Sequence, residues 1–375
     1  GGRTPPLPPG PPPWRCGLAM AAAAAWPASR PGEVLRGALA ACRAPAVSVA
    51  AVLGERLVCS AAAGEVGGVA ASPEDTIFLV ASISKLVVAV VCLQCCERGE
   101  LSLDKDVNAY LGGISVRNPA FPDVPITARQ LLTHCSSLDD DESALMPGPF
   151  RAENMDCSMT LGDYVRQRLC PGGSHFNRLI WGNLRPPGSA EYHYSNAGFA
   201  LLGHVVEQAT GQALPALAGR DIFAPLGMSR TVWTLAAARQ LCEGASAVTS
   251  GPRLAVPHGP TGEPVGHYGV AEWPAAQLRS TAADLARFLI AFTGPSCPLL
   301  SEASRSTMLP PDVRTGLAWW GLDAPYHHRP DKVWMHGGFM QGVRTHIYLW
   351  PSLGAGMVIL TNGSFPYEAI ELALE

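Results

Sequence analysis

The chain has 375 residues, 47% of them hydrophobic and 15% charged, with a mean hydropathy of +0.13. That composition buries a large core and excludes a disordered or fibrous chain, and the length suits one large domain or two that share a core. A net charge of −4 and an isoelectric point near 6.2 leave no basic footprint for nucleic acid or an anionic membrane, and no uncharged apolar run reaches the roughly 18 residues of a membrane span.

Residues 1–34 open as "GGRTPPLPPGPPPWRCGL", rich in proline and glycine and without periodicity, and are expected to be disordered. Met20 then begins "MAAAAAWPASRPGEV" and is the expected start, with residues 1–19 disordered or untranslated; a peptide from residues 4–15 in the native protein would refute this. Residues 18–26 could serve as a weak signal or transit segment, which Pro27 ends. Eleven cysteines, an odd number at irregular spacing, argue against a secreted disulfide framework and for a reducing compartment. The expected location is therefore cytoplasmic, or organellar if the alanine-rich segment is a transit peptide. Cys92 and Cys95 match C-x-x-C, but no second pair stands at zinc spacing, so buried helix thiols are the expectation.

"PAVSVAAVL" (45–53), the Gly54-Glu55 turn and "RLVCSAAAG" predict a β-hairpin. Residues 82–98 predict a long helix, apolar through Cys96. "LSLDKDVNAYLG" (101–112) reads as a turn into a short amphipathic segment, and a helix is expected to start within 127–133. Residues 136–190, rich in Gly, Pro and Asp, read as long loops around one helix near 160–169. "AGFALLGHVVEQAT" (197–210) predicts a helix ending at Gly211, and "TAADLARFLIAFTG" (281–294) another, capped by Ser280 or Thr281. Strands are expected at 343–350 and 356–361 and a last helix at 367–375, with no internal repeat. Strands at both ends with helices between them predict an α+β sandwich: one mostly antiparallel sheet built from the two chain ends, flanked by helices, with a helical part inserted. The sheet part covers about 40–100 and 245–375, the helical part about 101–244.

Three stretches carry chemistry. The first is Ser82-Ile83-Ser84-Lys85, in a chain that holds only three lysines, Lys85, Lys105 and Lys332. Burying an ammonium is costly unless it is paired or neutralised. On a helix, residues three apart share a face, so Ser82 would lie against the Lys85 amine. A partly buried, neutral amine can take the serine proton and make a nucleophile, aided by the helix dipole; a lysine snorkelling from a core helix reads equally well. The second is Tyr194-Ser195-Asn196. A tyrosine hydroxyl relays protons when a cation lowers its pKa, and an asparagine amide binds both a serine–lysine site and a carbonyl; an ordinary N-cap with a packed tyrosine is as good a reading. The third is His336-Gly337-Gly338, expected just before a strand. Its glycines let backbone approach a ligand, and the next N–H could serve an oxyanion hole; a plain turn into an edge strand fits as well.

In this order, S-x-x-K, Y-x-N and H-x-G, the chain resembles the serine β-lactamase and penicillin-binding-protein superfamily, and most of all the class C branch with its esterase and D-aminopeptidase relatives. "RQLLTHCSSL" (129–138), "GELSLDKDVNAYL" (99–111), "PPGSAEYHYSNAGFALLGHVVEQATGQAL" (186–214), "APLGMSRTVW" (224–233), "STAADLARFL" (280–289) and "GLAWWGL" (316–322) match as well, so the resemblance covers roughly 35–375. It implies a β-lactamase/transpeptidase-like catalytic domain over 35–375, with the site in the cleft between sheet and helical part. It also implies a role for each residue: Ser82 as nucleophile, Lys85 as its general base or proton partner, and Tyr194 as a second acid/base group held by Lys85. Asn196 would position Lys85 and substrate, His336-Gly337-Gly338 would edge the cleft, and the N–H groups of Ser82 and Phe339 would form the oxyanion hole. The implied reaction is acyl transfer to Ser82 and then to water, on a small-molecule or peptide substrate, with no metal and no organic cofactor.

Departures shift the expected substrate. His336 stands where β-lactamases and transpeptidases typically carry a lysine that binds the substrate carboxylate. A histidine mostly neutral near pH 7 favours an ester, amide or small-peptide carbonyl over β-lactams or a D-Ala carboxypeptidase substrate. A silent binding or scaffold relative is the other class. Cys135 and Ser137 replace the family's Thr and Gly, and "MHGGFMQG" lacks the usual spacing glycines. No G-x-S-x-G elbow, P-loop or dinucleotide fingerprint occurs. "DDDE" (139–142) is expected to be a solvated acidic loop rather than a calcium site, and His327-His328 a surface pair rather than metal ligands.

Overall fold

The computed structural model describes residue 39 and residues 44–140, 148–243, 251–322 and 332–363. The segment 1–34, Met20, His327-His328 and the expected helix at 367–375 lie outside them. Valines and alanines without helix signals make β1 (Ala46–Leu53), which turns at Gly54, φ 58°, into β2 (Arg56–Val66). β3 (Val69–Ala70) and β4 (Thr76–Leu79) follow. One turn of 3₁₀ helix, Ala81–Ile83, leads into α1 (Ser84–Glu97). The α-helix therefore starts at Ser84, two residues later than the sequence pattern suggests. The cause is Ala81, which sits at φ 50° and forces a sharp entry.

α1 is buried from Ser84 through Cys95, which is why it reads as apolar on every side; Cys92 and Cys95 are buried free thiols within it. α2 (Ala128–Leu132) is only five residues long, yet Thr127 and Gln130 close a reciprocal capping box at its start. The 136–190 region holds more structure than expected: β5 (Arg151–Glu153), α3 (Leu161–Tyr164) running into a π-turn at Val165–Leu169, and short 3₁₀ turns. α4 (Asn196–Thr210) ends at left-handed Gly211.

After β6 (Arg253–Leu254) and β7 (Tyr268–Val270) comes α5 (Trp273–Ala276), then β8 (Arg279–Ser280). α6 (Ala282–Thr293) is capped by Thr281, whose Oγ1 accepts from Asp284 N at 3.1 Å. β9 (Trp320–Leu322), β10 (Val333–Met340), β11 (Val343–Trp350) and β12 (Ala355–Thr361) complete the described strands.

Seven of these strands form one antiparallel sheet in the order β3-β2-β1-β12-β11-β10-β9. The two ends of the chain meet at its centre, where Val47 pairs with Thr361 and Leu53 with Ala355. β1 is apolar on both faces because both are covered. Ala46, Ala50 and Val52 join the main core with α1, while Val47 and Val49 join Ala63 and Ile359 on the other side. β4 pairs with β6 and β8 in a small separate sheet. His336, Gly337 and Gly338 lie inside β10, paired with Ile347, His346 and Thr345, rather than just before a strand as the sequence pattern suggests. Among the described residues, no helix is long and apolar enough to cross a membrane.

Candidate active site

The three sequence motifs converge at the turn between β4 and α1. Val80 donates its N–H to Leu278 O at 2.9 Å, and Ala81 takes the left-handed φ of 50°, a conformation that non-glycine residues hold only where the surroundings impose it. Ser84 locks the turn: its hydroxyl donates to Ala81 O at 2.6 Å and accepts from Leu278 N at 3.0 Å. Ser82 sits between these ties, and one helical turn on, Lys85 reaches back to it.

Lys85 is fully buried. Its Nζ donates to Asn196 Oδ1 at 2.6 Å, to Ala275 O at 3.0 Å and to Ser82 Oγ at 3.2 Å, one acceptor for each ammonium proton. It lies 4.7 Å from the Tyr194 ring centre and 5.4 Å from that of Phe199. Burial pulls its pKa from 10.5 down to about 7, against the carboxylates of Asp140 and Glu272, which pull it up. This lysine does not snorkel; it is the partly neutral amine that a buried S-x-x-K helix can produce.

Tyr194 donates its hydroxyl to Ser82 Oγ at 2.7 Å, so Ser82 Oγ lies between an amine and a phenol. Burial holds the Tyr194 pKa well above its ordinary value, with only the Ser82 hydrogen bond opposing. Tyr194 is thus a protonated donor at neutral pH. The N-cap reading of the second motif holds at Ser195. Ser195 caps α4, its Oγ accepting from Gly198 N at 2.9 Å, which leaves the Asn196 side chain free to face Lys85.

β10 brings the third motif. β9 pairs only with Val333–Met335, so beyond Met335 that side of β10 has no strand partner among the described residues. A Cβ on Gly338 would lie 2.0 Å from Thr345 Oγ1, 2.6 Å from Val80 O and 3.2 Å from the Ala81 Cβ. The close approach that requires glycine is therefore that of the nucleophile turn itself, which Thr345 holds by donating to Val80 O at 2.8 Å. His336 is buried and its Nδ1 donates to Gly337 O at 2.8 Å. Burial, then the Lys85 charge, lowers its pKa to about 3, so the imidazole is neutral, and its ring centre is 6.4 Å from that of Tyr194. Phe339 carries its side chain out to solvent, 57% exposed, under the Arg344 guanidinium at 3.4 Å; its backbone N–H follows Gly338 along the unpartnered stretch of β10.

Several residues here were not singled out from sequence. The Asp140 carboxylate accepts from the backbone N–H of Asn196, from Asn196 Nδ2 at 2.5 Å and from Ala197 N at 3.4 Å. Asp139 pairs with Arg185 at 2.5 Å and His193 at 3.1 Å. The expected acidic loop is exposed at Asp140, and that same carboxylate caps the start of α4 through Asn196 and Ala197. The acidic run was the only signal for it. Glu272 is buried, accepts from the Tyr164 hydroxyl and precedes the turn that offers Ala275 O to Lys85. Burial, with Asp140 adding, raises its pKa to about 7. His134 contacts the Tyr194 segment at several points.

Comparison with known proteins bears on the family and the fold. Esterase EstB of Burkholderia gladioli is 35% identical over 156 residues, 41% of this chain and 38% of that protein. The chain spans well under two thirds of the first curated relatives it matches, at 38% and 30% of their lengths. Among solved structures, "EstCE1, a hydrolase with promiscuous acyltransferase activity" has a TM-score of 0.69 at 21% identity, covering 91% of this chain and 96% of that one. A β-lactamase/D-alanine carboxypeptidase from Yersinia pestis has a TM-score of 0.68 at 18% identity, covering 92% and 96%. At these identities the structures share the fold. A family model described as Beta-lactamase matches residues 33–374, almost the whole chain, and the chain belongs to the beta-lactamase family.

Proposed function

We propose that the chain is a serine hydrolase that forms an acyl-enzyme at Ser82 with an ester, amide or small-peptide carbonyl. The observation that carries this reading is Ser82 Oγ held 3.2 Å from the Lys85 amine and 2.7 Å from the Tyr194 hydroxyl. With Lys85 at about 7, a large share of the amine is neutral at physiological pH and can take the serine proton as Oγ bonds to the carbonyl carbon. The carbonyl π electrons move to oxygen, where the N–H groups of Ser82 and Phe339 would receive them. Collapse expels the leaving group, which takes a proton from Tyr194. Tyr194 recovers its proton from Lys85, and water then repeats the attack and releases the acid. Asn196 keeps Lys85 aimed, and Asp140 keeps Asn196 in place.

A neutral His336 puts no cation at the position of the family's carboxylate-binding lysine, and the cation on this edge is instead the Arg344 guanidinium over the Phe339 ring. This favours ester, amide or small-peptide substrates over β-lactams, and the 35% identity to an esterase over 156 residues points the same way. The test is intact mass after mixing wild type and Ser82→Ala with p-nitrophenyl acetate and, separately, a β-lactam. An acetyl adduct on wild type alone is the expected result. Acylation by the β-lactam only would move the substrate class, and no adduct from either reagent in folded protein would overturn the reading.

A further inference from the structure

We propose that His134 is a positioning residue that sets the Tyr194 phenol against Ser82; the inference rests on the hydrolase reading above. His134 is buried at the end of α2 and its backbone stands at φ 57°, a left-handed conformation that is uncommon for a residue with a side chain. From there it grips the residue on each side of Tyr194. Its carbonyl accepts from His193 N at 2.8 Å, and its Nδ1 accepts from Ser195 N at 3.0 Å. Its ring lies along the Tyr194 ring, with centroids 4.5 Å apart and planes 29° apart, and the Tyr192 and Phe199 rings close in at 5.3 Å and 5.2 Å. Two hydrogen bonds and a ring stack thus fix a three-residue segment that has no strand partner among the described residues, and the phenol at its middle is 2.7 Å from Ser82 Oγ.

Accepting from an N–H leaves Nδ1 without a proton, so the ring carries its proton on Nε2 and is neutral. Burial, with the charge of Lys85 adding, holds it so. His134 therefore supplies an acceptor and a flat surface, not a proton. Its worth lies in geometry: a general acid displaced by about 1 Å can lose on the order of 100-fold in rate.

The experiment compares pre-steady-state acetylation by p-nitrophenyl acetate for wild type, His134→Phe, His134→Asn, Tyr194→Phe and the His134→Phe/Tyr194→Phe double variant. Each is checked for folding by circular dichroism. His134→Phe keeps the ring and loses the acceptor; it is expected to slow acylation by about 10- to 100-fold, up to the loss that a displacement of about 1 Å produces, while KM changes little. His134→Asn places an amide oxygen where Nδ1 stood and is expected to recover most of that loss. The double variant is expected to be no slower than Tyr194→Phe alone, because His134 acts only through the phenol. If the larger ring does not fold, His134→Leu carries the same expectation. Multiplicative losses in the double variant, a wild-type rate in His134→Phe, or no recovery in His134→Asn would overturn the proposal. Failure of wild type to acetylate at all would instead count against the hydrolase reading.

Discussion

Replacing Lys85 by Met tests the state of the amine directly, with stability as the readout. Methionine matches the length of the side chain and carries no charge. The step from 10.5 to about 7, at about 1.36 kcal/mol per pH unit, is worth about 5 kcal/mol. The unfolded chain holds this proton more tightly than the folded one. The protonated lysine therefore destabilises the fold fully below about pH 7, and the penalty fades as pH rises toward 10.5. By that relation the penalty is about 4 kcal/mol at pH 7 and about 2 kcal/mol at pH 9. Lys85→Met removes it but strips Asn196 Oδ1 and Ala275 O of a donor, a loss of roughly 1–3 kcal/mol each that does not vary with pH. The stability of the variant relative to wild type should thus fall by about 2 kcal/mol between pH 7 and pH 9. Glu272, whose pKa burial raises and Lys85 lowers, loses that neighbour and shifts the balance in the same sense. Denaturant midpoints and m-values at the two pH values measure the difference. A difference that stays constant from pH 7 to 9 would refute the depressed lysine, and with it the neutral general base. The same lysine should give wild-type acylation a rising limb centred near pH 7.

Glu272→Gln keeps an oxygen for Tyr164 but removes a carboxylate that raises the Lys85 pKa; the acid limb of acylation should move to lower pH, read from a pH–rate profile, and an unmoved limb would show the charge is not felt at Lys85. Gly338→Ala drives a Cβ to 2.0 Å from Thr345 Oγ1 and 2.6 Å from Val80 O. It should destabilise the protein by about 1–3 kcal/mol through overpacking and slow acylation together with it, as measured by thermal melting and adduct formation. With His336 lowered to about 3, no limb between pH 5 and 8 should belong to it, and His336→Gln should leave the profile's shape unchanged.

Local features of the sequence mapped well onto the fold. The β1–β2 hairpin, α4 ending at Gly211, α6 with its Thr281 cap and the two late strands all follow from short-range patterns of apolar residues and caps, and the pairing of chain ends follows from where the strands lie. Ser82 and Lys85 stood out because a lysine three residues after a serine in an apolar stretch needs a reason. What the sequence hides is long-range. Ala275 O is 190 residues from the lysine it receives, and any residue has a carbonyl to offer. Asp140 looks like part of a solvated run until α4 is set beside it. His134 sits in an unremarkable helix end, and its meaning comes from a segment some 60 residues on. The sequence pattern sets the glycines of β10 just before a strand rather than inside it, because only the packed neighbour, the Val80–Ala81 backbone, shows why a strand interior would need them.

The union of β1 with β12 has a consequence for how the molecule is made. Residues 47 and 361 are register partners, so a chain emerging from the ribosome releases its first hairpin long before the strand that completes it. Closing so long a loop adds little to the equilibrium stability that must be overcome, but non-local pairing slows folding and leaves one flank of β1 open in the meantime. A protein built this way reaches its native sheet only after residue 361 has been synthesised. Its nucleophile turn, which leans on β10 through Gly338, acquires its geometry in that same late step.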